Sequence, residues 1–106
     1  MTTRLRVLGP AQRQAKQAAA WWRTNRSSSR GLFRRELASA FDLLVSSPEM
    51  GTPYDDADVP GLRRVLLPET RYHIYYVYHA DLNQILVLGI WSVLRGHAPP
   101  WSERPR

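Results

Sequence analysis

Leu62-Arg63-Arg64-Val65-Leu66-Leu67-Pro68-Glu69-Thr70-Arg71-Tyr72-His73-Ile74-Tyr75-Tyr76-Val77-Tyr78-His79-Ala80-Asp81-Leu82-Asn83-Gln84-Ile85-Leu86-Val87-Leu88-Gly89-Ile90-Trp91-Ser92 is the stretch on which the fold turns. It contains three strand-like runs, 62–67, Tyr72–His79 and Gln84–Ser92, separated by Pro68-Glu69-Thr70 and by 80–83. Side chains alternate across a strand, so Tyr72, Ile74, Tyr76 and Tyr78 share one face of the second run. Turns this short join antiparallel neighbours, and the three runs form a meander. The apolar density of residues 85–91 predicts the most buried, central strand.

Upstream of the meander, Pro48, Gly51, Pro53, Pro60 and Gly61 punctuate a loop over 48–61 whose centre carries Asp55, Asp56 and Asp58. A helix over 30–46 precedes it, with Phe33, Leu37, Ala40, Phe41 and Leu44 on one face. Ser46-Ser47-Pro48 ends this helix, because the residue before proline avoids the helical region. A break over 25–31 holds Ser27, Ser28 and Ser29, residues suited to capping. Before the break, Ala11, Ala15, Ala18, Ala19 and Trp22 define the apolar face of a helix over 10–24, started by Pro10, which costs little at a first helical position. The short connection makes the two helices an antiparallel hairpin. Residues 4–8 alternate and read as a strand. The expected class is α+β: an N-terminal strand, a two-helix antiparallel hairpin and a three-stranded antiparallel meander in one domain over 1–106. Leu37, Phe41 and Leu44 are expected to meet Ile74, Leu86 and Leu88 or their neighbours. The tail over 95–106 is proline-rich, with Pro99, Pro100 and Pro105, and cannot be regular throughout.

Composition narrows the function. The chain has 106 residues, 43% hydrophobic and 23% charged, the balance of an ordinary globular domain. With no cysteine, disulfides, thiolate metal sites and cysteine nucleophiles are excluded. No apolar run approaches a bilayer span and no secretory signal is visible, so the cytoplasm is the expected compartment and no membrane partner is expected. The net charge of +6 lies wholly in residues 1–50. Such a surface suits nucleic acid or an acidic protein partner.

Several segments together resemble the RelE/ParE superfamily of toxins from type II toxin–antitoxin systems. Ala18-Ala19-Ala20-Trp21-Trp22-Arg23-Thr24-Asn25-Arg26 resembles the end of the first helix in ParE-like members. Phe33 to Leu44, then Ser47-Pro48-Glu49-Met50-Gly51, resembles their second helix and the turn after it. Gly61 to Leu67 and Arg71 to Tyr76 are similar to two family strands, and Ile90-Trp91, Arg95-Gly96 and Pro99-Pro100 to the last strand and its exit. Two positions depart. Where relatives often carry a histidine after the strand tryptophan and paired basic residues at the exit, this chain has Ser92 and Leu94. The role of that histidine therefore does not carry over.

The resemblance implies a ParE-like toxin of a plasmid-stabilisation type, inhibiting growth by binding DNA gyrase and neutralised by a cognate antitoxin in a hetero-oligomer. It implies no cofactor. On this reading Arg63, Arg64, Arg95 and Trp101 are candidates to grip the target, and Arg34 and Arg35 to meet antitoxin carboxylates. The alternative within the superfamily is a RelE-like endonuclease that cleaves mRNA on the ribosome. Such an enzyme needs a base, an acid and a cation around the phosphate, and Arg64, Arg71, Tyr72, Arg95 and His97 are the candidates. A toxin fold kept only as a binding module is a third reading.

Each candidate also has a plainer reading. His73 and His79, on one strand face, read first as partly exposed strand histidines. The three aspartates read as a solvated loop rather than a chelating set, and no metal site is expected. The tyrosine stripe reads as a sheet face, though aromatic rings can also stack bases. Trp21 and Trp22 read as the core of the hairpin and its rim.

Overall fold

The structure is a computed structural model that describes residues 3–97 and 99. β4 (Tyr72–His79) is the axis of the sheet: β3 (Arg63–Leu67) pairs antiparallel to one side of it and β5 (Gln84–Ser92) to the other. The outer places are taken by β1 (Arg4–Val7), parallel to β5, and β2 (Thr52–Pro53), antiparallel to β3, giving the order β1-β5-β4-β3-β2. α1 (Gly9–Asn25) and α2 (Leu32–Ser46) fill the interval between β1 and β2 and cover one sheet face. The α+β expectation is met.

The core lies between helices and sheet. Ala11, Ala18, Ala19 and Trp22 of α1 and Phe33 and Leu44 of α2 are buried against Ile74, Tyr76, Ile85, Val87 and Ile90. Alanine on α1 lets that helix sit close, and Phe33 meets the Tyr72 ring edge-on at 4.9 Å. Tyr72 and Tyr78 flank the same cluster, so the tyrosine stripe faces the helices. A smaller cluster lies on the other sheet face, where Val59, Leu62 and Tyr75 are buried with Tyr54, Val77, Leu88 and Trp91 around them.

Four expectations need correction. β4, not β5, is the middle strand, because β1 adds beside β5 and β2 beside β3, one on each side of the meander. Leu88 faces the smaller cluster, and Leu86, paired with Val77, follows it. The helix face instead receives Ile85, Val87 and Ile90, which strict alternation would not keep together. A register shift opposite Tyr75 and Tyr76 adds one residue to β5 and returns Ile90 to the core. The backbone N–H of Ile90 donates to Gln14 Oε1 of α1 at 2.8 Å. The loop over 48–61 contains β2. Lastly, α2 starts at Leu32 with Gly31 before it and no side-chain cap, while Ser27–Ser29 form a separate 3-10 turn.

Candidate functional site

The turn after α2 is held by β4 and β3. Tyr76 Oη donates to Pro48 O at 2.8 Å and accepts from the Gly51 N–H at 2.9 Å. A Cβ on Gly51 would stand 2.6 Å from that hydroxyl, so only glycine lets the phenol in. Burial raises the Tyr76 phenol pKa, opposed by the Gly51 N–H and by Arg63. Arg63 completes the clamp by donating to Gly51 O at 2.7 Å and Glu49 O at 3.1 Å. Its guanidinium is thereby committed to the turn.

Beyond that clamp the open sheet face carries a row of rings and cations. Arg64 lies over the Tyr54 ring at 4.5 Å and donates to Tyr75 Oη at 3.4 Å. Tyr75 meets Tyr54 at 5.4 Å and His73 at 5.8 Å. His73 pairs across the sheet with Trp91, Arg95 lies 4.0 Å over the Trp91 ring, and His97 stands 5.8 Å from the same ring. Burial lowers the His73 pKa below the ordinary histidine value, and Arg64 and Arg71 lower it further. The shift favours the neutral imidazole over the charged one.

Tyr72 points the other way. It leans on Phe33 within the helix layer, and burial raises its pKa, with Trp22 and Arg95 opposing. It lines a cleft of about 530 Å³ at the C-terminal end of α1 with Trp21, Trp22, Arg26, Arg71 and Arg95. Arg71 sits there because the turn after β3 is fixed: Glu36 of α2 accepts from the N–H of Glu69 at 2.7 Å, and from the N–H and hydroxyl of Thr70 at 2.9 and 2.6 Å. Arg71 itself adopts a left-handed backbone, with φ of 64°. A third feature is an apolar groove of about 330 Å³ across the hairpin, lined by Val7, Ala15, Leu37, Phe41 and Ile90, with Lys16 at its edge. At 100° per residue Arg34 falls beside Phe41 on α2, on the groove side, and Arg35 on the outer side.

The candidates thus divide. Arg71, Tyr72 and Arg95 meet at the cleft, while Arg64 and His97 belong to the open-face row, to which Arg95 also reaches. Trp101 lies outside the described residues, as does most of the tail. Trp21 is exposed and Trp22 buried, the reverse of the core-and-rim reading, because Trp22 continues the face of Ala11, Ala15 and Ala18. Among the described residues no group of three His, Asp or Glu side chains could hold a metal, and Asp56 Oδ1 instead accepts from the Asp58 N–H at 2.9 Å. Sequence reasoning missed Trp22 and Arg26 as cleft residues and the ring–cation contact of Tyr54. The signal for the first was Trp21-Trp22 beside Arg23 and Arg26; Tyr54 is followed by aspartates, so nothing local pointed to its contact with Arg64.

Among the described residues no helix is long and apolar enough to cross a membrane. No protein-family model and no curated protein matches the sequence. Among solved structures, a chain of the chromosomal ParDE TA system from P. aeruginosa is similar, with a TM-score of 0.67 at 14% identity over 85% of this chain and 95% of that one. At that identity the likeness is one of fold, and it is the RelE/ParE-like fold that the order of the motifs implied.

Proposed function

We propose that the chain is the toxin of a type II toxin–antitoxin module, ParE-like, acting on DNA gyrase by binding and neutralised by a cognate antitoxin. The observation that carries this reading is the likeness in fold to a chain of a ParDE TA system over nearly the whole of both chains. The groove across the helical hairpin suits the antitoxin. Its apolar walls take an amphipathic segment, and Lys16 on its lining, with Arg34 on the same side of α2 as Phe41, takes that segment's carboxylates. Arg35 lies farther out and contributes charge at longer range. Arg64 and Arg95, backed by aromatic rings, are the groups for the target, and Arg63 acts through the turn it holds.

Binding is favoured over cleavage by the placement of the proton-carrying groups. Tyr72 is turned into the helix layer and has a raised pKa, whereas His73 and His97 stand with Trp91 on the other face. The deciding experiment runs a gyrase supercoiling assay beside a translation assay with primer-extension mapping. Inhibited supercoiling without new mRNA ends is expected. Growth inhibition is expected to survive His97→Ala and Tyr72→Phe. Its loss in folded, antitoxin-binding variants, together with the loss of mRNA cuts, would establish the endonuclease reading instead.

A further inference from the structure

The cleft at the end of α1 holds three features that packing alone does not account for. Trp22 is 9% exposed, and its indole N–H is buried toward the Tyr72 phenol, whose pKa it lowers, so the phenol is held against the cleft wall. Arg26, Arg71 and Arg95 line the same cleft, and none of them forms an ion pair among the described residues. Glu69 is the one carboxylate on the lining. Trp21, 46% exposed, presents a broad ring there, with the Arg26 guanidinium 5.3 Å from its centroid.

We infer that this cleft binds a nucleoside phosphate, with the phosphate among the three guanidinium groups and the base against Trp21. Three cations facing one carboxylate favour a dianion over a single carboxylate, since forked guanidinium donors match phosphate oxygens. The Tyr72 phenol, on the lining of the cleft, supplies a neutral donor beside the three cations. The exposed ring with a cation over it is a stacking platform for a flat heterocycle. The inference concerns a ligand of the free chain; it shares Arg95 with the proposed target surface but rests on no observation of gyrase or antitoxin binding.

Calorimetric titration of the purified full-length chain with adenosine 5′-monophosphate tests it, beside arms with adenosine, inorganic phosphate and a 5′-phosphorylated oligoribonucleotide. Saturable binding of the monophosphate is expected, with adenosine and inorganic phosphate each weaker by about tenfold or more, since each lacks half of the contacts. If the oligonucleotide binds more tightly than the mononucleotide, the source of the ligand is a nucleic-acid end; the opposite order identifies free nucleotide. Both orders uphold the shared chemistry. Trp21→Ala removes the exposed stacking ring. It should weaken nucleotide binding about tenfold while leaving inorganic phosphate binding and the melting temperature near those of wild type, because the ring is half exposed. Arg71→Gln should weaken binding comparably, and Arg6→Gln on the far edge strand should not. The inference is overturned by no saturable binding at millimolar nucleotide, by inorganic phosphate binding as well as the nucleotide, or by wild-type affinity in both Trp21→Ala and Arg71→Gln.

Discussion

The two faces of β4 come from one run of eight residues and have opposite fates. Tyr72, Ile74, Tyr76 and Tyr78 turn to the helices; His73, Tyr75 and Val77 turn to the open face. Tyr76 and Tyr75 are both buried, at 0% and 2% exposure, so burial does not separate them. What separates them is the partner of the hydroxyl. Tyr76 closes two hydrogen bonds to the backbone of one turn, whereas Tyr75 accepts from Arg64, a side chain that also lies over Tyr54. The covered face spends its polar atoms on holding the fold. The open face spends its own on positioning cations that still reach water. A tyrosine in a strand thus takes its role from the layer it meets.

That contrast is broken most directly by truncation. Phe33→Ala or Leu44→Ala, under the helix layer, should each cost about 2–5 kcal/mol in denaturant unfolding. Leu66→Ala, on an exposed side chain paired opposite His73, should stay within about 0.5 kcal/mol. Equal losses at the two places would mean that the faces do not differ in packing.

Next comes the pair of hydroxyls. Tyr76→Phe leaves the Gly51 N–H and the Pro48 carbonyl without their partner and should cost about 1–3 kcal/mol. Tyr75→Phe removes the long contact with Arg64, made to a side chain and not to the backbone of a turn, and should cost less than Tyr76→Phe. Thermal unfolding of the two variants side by side measures the gap.

Glu36 offers a smaller test of the covered side. Glu36→Gln keeps the shape and one acceptor oxygen but loses the carboxylate that receives three donors at the β3–β4 turn. A loss of about 1–2 kcal/mol is expected, with faster amide exchange at Glu69 and Thr70.

The smallest effect is on the open face and depends on pH. His73 has its pKa lowered first by burial and then by Arg64 and Arg71. The unfolded chain therefore binds more protons than the folded one as pH falls below the ordinary histidine value near 6.5. Stability contributed by this group is present above that value and is lost as pH falls through it toward the folded pKa. His73→Gln should flatten this part of the stability profile. Arg64→Gln should raise the His73 pKa, followed by NMR titration of the ring protons, without restoring the ordinary value, because burial is the larger cause.

Element order, both helices and the faces of β4 were legible in the sequence, since each follows from spacing within a window of a few turns or a few alternations. Tyr72–His79 and Gln84–Ser92 have the bounds that their alternation predicted. The start of α2 was less legible: three serines pointed to a cap, but the chain makes a separate 3-10 turn there and enters the helix through Gly31. Gly89 inside an apolar strand was the available hint of irregular pairing in β5. Without the register shift, Leu86 and Leu88 looked as eligible for the core as Val87 and Ile90.

The sequence by itself determined the class of fold and the uneven charge, because periodicity and charge are properties of neighbours along the chain. Tertiary structure alone decided the working parts. The Tyr76 clamp joins residues 25 and 28 apart, the Glu36 cap spans 33 and 34, and the Gln14 bond to Ile90 spans 76. The Trp22 cleft likewise brings the end of α1 to the turn after β3 and the exit of β5. Contacts of that reach depend on how two layers pack, and local spacing carries no record of which side chain a distant element will bring within hydrogen-bond distance.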